Sequence, residues 1–212
     1  MKEKAVLYIH GKHGSKEELD RLKPLLQTKG YDGYAIDLPG HGQSKEDLTS
    51  FTPWGTKPLL QTFFGMLSRD YSQVTLLANS IGCYFSMHAL QGKPIDNALF
   101  ISPILSMERL ITDMIAWAGV TEAMLQKKKE IHTEFGEILS WNYLQFVRNN
   151  PINWKIPTSI LYAGHDTLTS RDTVDSFVNS HNADLSVYEN GEHWFHTPEQ
   201  LEFLDQWILK QL

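Results

Sequence analysis

A chain of 212 residues, 42% hydrophobic and 21% charged, is long enough to bury a substantial core as one domain without disulfide or metal staples. Its formal charge of −6 and lack of a long basic stretch argue against a nucleic-acid partner; Lys127-Lys128-Lys129 runs into Glu130 and reads as a solvated helix face. The single cysteine, Cys83, precludes an internal disulfide and suits a reducing cytosol, and no run approaches the roughly 18 apolar residues of a membrane span, so a cytoplasmic protein is expected.

Met1 to Lys4 leads directly into a short apolar strand, Ala5 to Ile9, without a signal-peptide pattern. The strand ends at His10-Gly11-Lys12-His13-Gly14-Ser15. Ser15 with Glu18 three residues on is a capping-box signature, which predicts a helix from Lys16 to about Lys29, closed by Gly30. Tyr34-Ala35-Ile36 is the next strand and meets Asp37-Leu38-Pro39-Gly40-His41-Gly42-Gln43-Ser44. Pro53, Gly55 and Pro58 predict a loop from Lys45 to Pro58, followed by a helix from about Leu59 to Arg69.

Val74 to Leu77 is apolar and partly β-branched, as a strand buried on both faces should be. It runs through Ala78-Asn79-Ser80-Ile81-Gly82 into a helix from Cys83 to Leu90, which Gln91-Gly92-Lys93-Pro94 closes. Ala98 to Ile101 is a strand ending at Ser102-Pro103. From Ile104 to Asn150 the spacing becomes helical: Met107, Leu110, Ile111, Met114 and Ile115, then Phe135, Ile138, Leu139, Phe146 and Val147. This stretch is too long for a crossover and predicts a helical cap insertion. Ser159 to Ala163 resumes the strands and ends at Gly164-His165-Asp166. A helix from Ser170 to Ser180 and a strand from Leu185 to Tyr188 lead to Glu189-Asn190-Gly191-Glu192-His193. Thr197 and Pro198 open a final helix with Leu201, Leu204, Ile208 and Leu209 on its apolar stripe.

Strands alternating with helices predict a parallel sheet covered on both faces, with the site beyond the carboxyl ends of the strands. His10-Gly11, the Asp37 turn, Ser80, Asp166 and His193 each follow a strand, so such a fold gathers them at one edge. A serine on a tight strand-to-helix turn has its hydroxyl raised above the sheet, provided the residues two before and two after it are small. Here these are Ala78 and Gly82.

This A-x-S-x-G turn resembles the nucleophile elbow of the α/β-hydrolase family, G-x-S-x-G, with one extra methyl at Ala78. The stretch from Asp37 to Ser44 is similar to the family's D-x-P-G-H-G-x-S loop, which is the more specific match. With His10-Gly11 and the order Ser…Asp…His, the resemblance covers nearly the whole chain. It implies an α/β-hydrolase fold of about six mainly parallel strands flanked by helices, with the insertion 104–150. The chain begins at what would be the family's third strand, so the usual N-terminal antiparallel hairpin is expected to be absent.

The chemistry that the resemblance implies is nucleophilic. A serine hydroxyl is a weak nucleophile at neutral pH and needs a base, and the base needs a carboxylate to hold its tautomer. Ser80, His193 and Asp166 take these roles. Asp172 competes with Asp166 but suits the first turn of the following helix; His196 competes with His193 but lies nearer the last helix. His41 belongs to its turn motif, and His165 is read as a loop residue that positions Asp166. Glu192, where the family has a second glycine, would raise the pKa of His193 if the two charges lie close. The two oxyanion donors implied are the backbone N–H groups of Ile81 and Lys12.

The expected activity is therefore a carboxylesterase-like serine hydrolase acting on a small soluble ester or thioester through an acyl-enzyme. A peptidase or a C–C bond hydrolase would use the same residues, and a binding protein that kept the fold would use none of them. Trp54, Tyr84, Trp117, Trp141 and Trp194 are candidates for the substrate pocket. No metal or cofactor is expected: His10 with His13, and His193 with His196, lack the carboxylates or cysteines that would complete a site.

Overall fold

The buried run Ala5–Ile9, with no side chain more than slightly exposed, lies one strand in from the edge of a six-stranded sheet in the computed structural model, which describes residues 2–212. The chain divides into two compact units, one running to Leu105 and again from Trp154 to Leu212, the other Ser106–Asn153. In the first unit come β1 (Lys2–Ile9), α1 (Glu18–Thr28), β2 (Tyr31–Ile36), α2 (Pro53–Asp70), β3 (Tyr71–Asn79), α3 (Ile81–Leu90) and β4 (Asn97–Ile101). The second holds α4 (Met107–Trp117), α5 (Glu122–Lys128), β5 (Glu130–His132), β6 (Ile138–Ser140) and α6 (Trp141–Asn149). The first unit then resumes with β7 (Thr158–Ala163), α7 (Arg171–Ser180), β8 (Ala183–Tyr188) and α8 (Pro198–Gln211). No helix among the described residues is long and apolar enough to cross a membrane.

All five strand pairs of the sheet are parallel, in the order β2-β1-β3-β4-β7-β8. The sheet therefore presents every strand's carboxyl end at one edge. The chain steps one way from β1 to β2 and the other way from β3 onward, so the reversal lies between β1 and β3. There Ile9 stands opposite Ala78, which sets the loops after the two strands side by side. Period-two alternation decides which side chains share a face. Val6 and Tyr8 join Leu77, Leu99 and Leu161 in one cluster with Leu22 of α1 and Trp207 and Ile208 of α8.

Two stretches depart from the expectation. The last part of the predicted loop from Lys45 to Pro58 is helix, because α2 begins at Pro53. Thr52 caps it through a 3.0 Å bond from the Gly55 N–H, and Pro53 occupies the first turn, where its missing N–H costs nothing. Gly55 is a packing requirement rather than a breaker: a β-carbon there would stand 2.2 Å from the Ser50 carbonyl oxygen. Pro58 removes one hydrogen bond, which the longer helix absorbs.

The second departure lies in the insertion, where Phe135, Ile138 and Leu139 were expected on a helix. They belong to an antiparallel hairpin in which Ile131 pairs with Leu139. Its tip turns at Gly136, whose φ is +85°, and Thr133 clasps Glu137 by donating its N–H and hydroxyl to the Glu137 carbonyl and accepting the Glu137 N–H. Arg148 of α6 then ties this unit together, donating to both carboxylate oxygens of Glu122 on α5 and to Glu108 on α4 at 2.7 Å. At α1 only half of the capping box forms: Glu18 accepts the Ser15 N–H at 3.0 Å, and the helix starts two residues late.

Candidate active site

Ser80 stands between β3 and α3 with φ +52° and ψ −123°, a backbone conformation that residues with side chains rarely adopt. The surroundings hold it there. Its N–H donates to the Ile101 carbonyl at 2.9 Å, and its own carbonyl accepts the N–H groups of Cys83 and Ile104, each at 3.1 Å. The turn is tight because β1 passes close beneath it. A β-carbon at Gly82 would lie 2.5 Å from the His10 carbonyl oxygen, and one at Gly11 would lie 3.1 Å from the Ser80 β-carbon. Ala78, fully buried, leaves this geometry intact.

The Ser80 hydroxyl lies 2.8 Å from Nε2 of His193. Nδ1 of the same ring lies 2.8 Å from Oδ2 of Asp166, whose side chain is fully buried. A carboxylate only accepts, so Nδ1 carries the proton and Nε2 is left to accept from the serine. The other carboxylate oxygen is occupied by the backbone N–H groups of Leu168 (2.8 Å) and Thr169 (3.1 Å), which fix its orientation. Thr169 is tied in turn: its hydroxyl donates to the Pro103 carbonyl and its own carbonyl accepts the Tyr162 hydroxyl. The loops after β7 and β8 meet through the His165 N–H, which donates to the Gly191 carbonyl at 2.8 Å. His165 thus acts through its backbone, with its ring exposed.

The rivals lie elsewhere. Asp172 sits in the first turn of α7. His196 turns Nδ1 to the Trp194 carbonyl at 2.7 Å and stacks on the Trp194 ring. Glu192, placed beside His193 in sequence, directs its carboxylate to His196 instead, 3.6 Å away.

Ile81 is the first residue of α3, so its N–H is among the helix-start donors that have no partner within the helix. Lys12 lies in the loop after β1, facing the loop after β2. These two loops are cross-braced. Asp37 accepts the N–H groups of Lys16 (2.8 Å) and Gln43 (2.9 Å), with the Lys16 ammonium at 3.0 Å. Burial pushes the Asp37 carboxyl upward, yet these three donors outweigh it and hold the group below the usual carboxylate value.

His10 is fully buried, and its Nε2 accepts the Leu38 N–H at 3.0 Å while Nδ1 donates to the Gly11 carbonyl at 2.7 Å. His41 was expected to serve only its own turn. Its Nδ1 does donate to the Pro39 carbonyl at 2.9 Å, but Nε2 reaches across and accepts the His13 N–H at 3.1 Å. Nothing in sequence spacing signals this second contact.

Burial holds the His10 imidazole below its ordinary value of 6.5. The unfolded chain therefore takes up a proton that the folded chain resists. The stability is fully present above about pH 6.5 and is lost as pH falls below it. Urea midpoints of the wild type are expected to drop between about pH 7.5 and about pH 5. His10→Asn should show a shallower drop; an equal slope in the two proteins would refute the assignment.

The five aromatic pocket candidates are dispersed. Trp194 is 69% exposed immediately after His193, and Trp54 is partly exposed in the first turn of α2. Tyr84 is buried on α3, which pushes its hydroxyl up to about 12. Trp117 ends α4 in the second unit, edge-on to Phe135 at 6.3 Å, and Trp141 opens α6, its N–H bonded to the Lys129 carbonyl.

Known proteins share this architecture. The model of the alpha/beta hydrolase fold family matches residues 4–130. A carboxylesterase of Bacillus subtilis (strain 168) is 26% identical, the match covering 90% of this chain and 85% of that one. Mouse alpha/beta hydrolase domain-containing protein 10 superposes with a TM-score of 0.78 at 15% identity, covering 98% of this chain and 88% of its own. Est1E from Butyrivibrio proteoclasticus, solved with ferulic acid bound, gives 0.73 at 17% identity, covering 99% and 90%.

Proposed function

This chain belongs to the α/β-hydrolase fold family, and from that premise we propose that it is a serine hydrolase cleaving a carboxylic ester or thioester of a small soluble substrate. The observation that carries the reading is the unbroken pair of 2.8 Å hydrogen bonds from Ser80 through His193 to Asp166, three groups delivered by three different strand ends. The similarity to a carboxylesterase supports the choice of ester.

In this reading the Ser80 oxygen attacks the carbonyl carbon while His193 Nε2 takes its proton. Asp166 stabilises the resulting imidazolium without taking the proton itself. The carbonyl oxygen becomes an oxyanion held by the N–H groups of Ile81 and Lys12. Collapse of the tetrahedral intermediate breaks the bond to the leaving group, which receives the proton from His193 and departs as alcohol or thiol. Water, deprotonated by the same imidazole, attacks the acyl-enzyme, and the second collapse releases the carboxylic acid and restores the serine. Trp194, exposed and next to His193 in the chain, is the aromatic we assign to meet the departing or acyl group.

The test is hydrolysis of p-nitrophenyl acetate, butyrate and octanoate alongside labelling by a fluorophosphonate. Turnover of at least one ester, with label recovered on the peptide containing Ser80, is the expected result. Labelling without turnover would retain the nucleophile and reject the ester class. Neither labelling nor turnover would reject the enzyme.

A further inference from the structure

We infer that His10 and His41 are positioning residues that lock the direction of the Lys12 N–H by fixing the peptide groups on either side of it. The inference rests on the reading of Lys12 as an oxyanion donor. A trans peptide is planar, with its carbonyl and its N–H pointing in opposite directions, and no cis peptide occurs among the described residues. The Gly11 carbonyl accepts from His10 Nδ1 at 2.7 Å and from the Gly14 N–H at 3.2 Å. The Lys12 N–H, on the opposite edge of the same plane, therefore faces away from both. The next plane is held as well, because the His13 N–H donates to His41 Nε2 at 3.1 Å. With both neighbouring planes tied, Lys12 has no torsion free to turn its N–H.

This hold is needed. His13 has φ +64°, the left-handed region that a residue with a β-carbon avoids, so the loop left to itself relaxes out of this shape. The hold is also specific in its protonation. Each ring accepts a backbone N–H at Nε2, from Leu38 and from His13 respectively, so each is neutral with its proton on Nδ1. Those protons are spent on the Gly11 and Pro39 carbonyls. The two rings thus clasp the loops after β1 and β2 reciprocally, His10 reaching from the first to the second and His41 from the second to the first. His41 further packs on Phe51 at 4.5 Å, and Phe51 stands edge-on to Phe85 of α3 at 5.0 Å. That helix carries Ile81, the other donor, so one line of packing ties both donors to a common frame.

A donor to the oxyanion acts on the transition state, so mis-aiming it lowers kcat while substrate binding is kept. A merely structural histidine would lower the thermal midpoint without that split. The experiment compares His41→Phe, which keeps a ring but removes the acceptor, with His41→Gln, whose side-chain carbonyl reaches the place of Nε2. For each, kcat and KM on p-nitrophenyl butyrate, the inhibition constant of a trifluoromethyl ketone and the thermal midpoint are measured. Folded His41→Phe is expected to lose about 10- to 100-fold in kcat with KM changed less than about twofold, and to bind the ketone more weakly by the same factor as kcat. His41→Gln should recover most of the loss.

Should His41→Phe not fold, His41→Asn, too short to reach His13, takes its place. The inference is overturned if the acceptor-less variant keeps kcat within about threefold of wild type, or if His41→Gln is equally damaged. A wild type that neither hydrolyses esters nor takes up fluorophosphonate would instead fail the proposed function, and the inference with it.

Discussion

Replacement of Ser80 by alanine is expected to lower kcat for ester hydrolysis by roughly 10⁴-fold or more and to abolish fluorophosphonate labelling, with the fold unchanged. The fold should survive because what holds the turn is backbone: the Ser80 N–H to Ile101 and the Ser80 carbonyl to Cys83 and Ile104. Alanine keeps the β-carbon and loses only the oxygen that faces His193. What remains are the backbone donors, which accelerate attack by water far less than attack by an aligned hydroxyl. His193→Ala should cost nearly as much, and the double replacement no more than either alone, because the two groups act in one step. Circular dichroism establishes folding, and burst and steady-state kinetics read the loss. Substantial turnover by folded Ser80→Ala would place the nucleophile elsewhere and end the serine-hydrolase reading.

Gly82→Ala should be a severely damaging single methyl. The added carbon would stand 2.5 Å from the His10 carbonyl oxygen and 2.8 Å from that of Ile9. Both are main-chain atoms of or next to β1, a strand paired on both sides and buried on both faces, so neither can retreat. Alanine's better helix propensity offers less than about 1 kcal/mol against a clash of this kind. A net loss of about 3 kcal/mol is expected, read as a lower urea midpoint. Activity should fall as well, because the wedge parts the end of β1 from the start of α3, the segments that carry Lys12 and Ile81. Gly65→Ala is the matched control: it lies inside α2 with nothing within 4 Å of its added carbon, and should gain about 0.5–1 kcal/mol. Equal midpoints for wild type and Gly82→Ala would show that the elbow has slack where the packing says it has none.

The strands were legible in the sequence for the reason that makes a parallel sheet readable at all. With both faces covered, Ala5–Ile9 and Ala98–Ile101 are continuous apolar runs, and Val74–Leu77 is broken only by the β-branched, buried Thr75. Their polar ends were missed: Lys2–Lys4 and Tyr71–Gln73 pair with neighbours although several are exposed, because main-chain bonding does not depend on the side chain. The start of α2 was hidden behind two prolines and a glycine, although Thr52 caps it and Pro53 suits its first turn. The hairpin around Gly136 was misread because short apolar runs suit either period until a turn is seen to close.

At the site the division is sharper. Sequence alone determined which residues follow strands, and therefore which stand at the carboxyl edge: Ser80, Asp166 and His193 among them. It could not determine which of those strand ends are neighbours. The spatial order β2-β1-β3-β4-β7-β8 does that, and it sets the loop after β1 beside the serine and the loops after β7 and β8 beside each other. Sequence alone preferred His193 to His196, three residues on, only by distance from the last helix, and it could not give His41 a partner in another loop. A hydrogen bond needs about 3 Å and a defined direction. Such closeness between residues 113 positions apart, as Ser80 and His193 are, is a property of the folded sheet and not of the order of the chain.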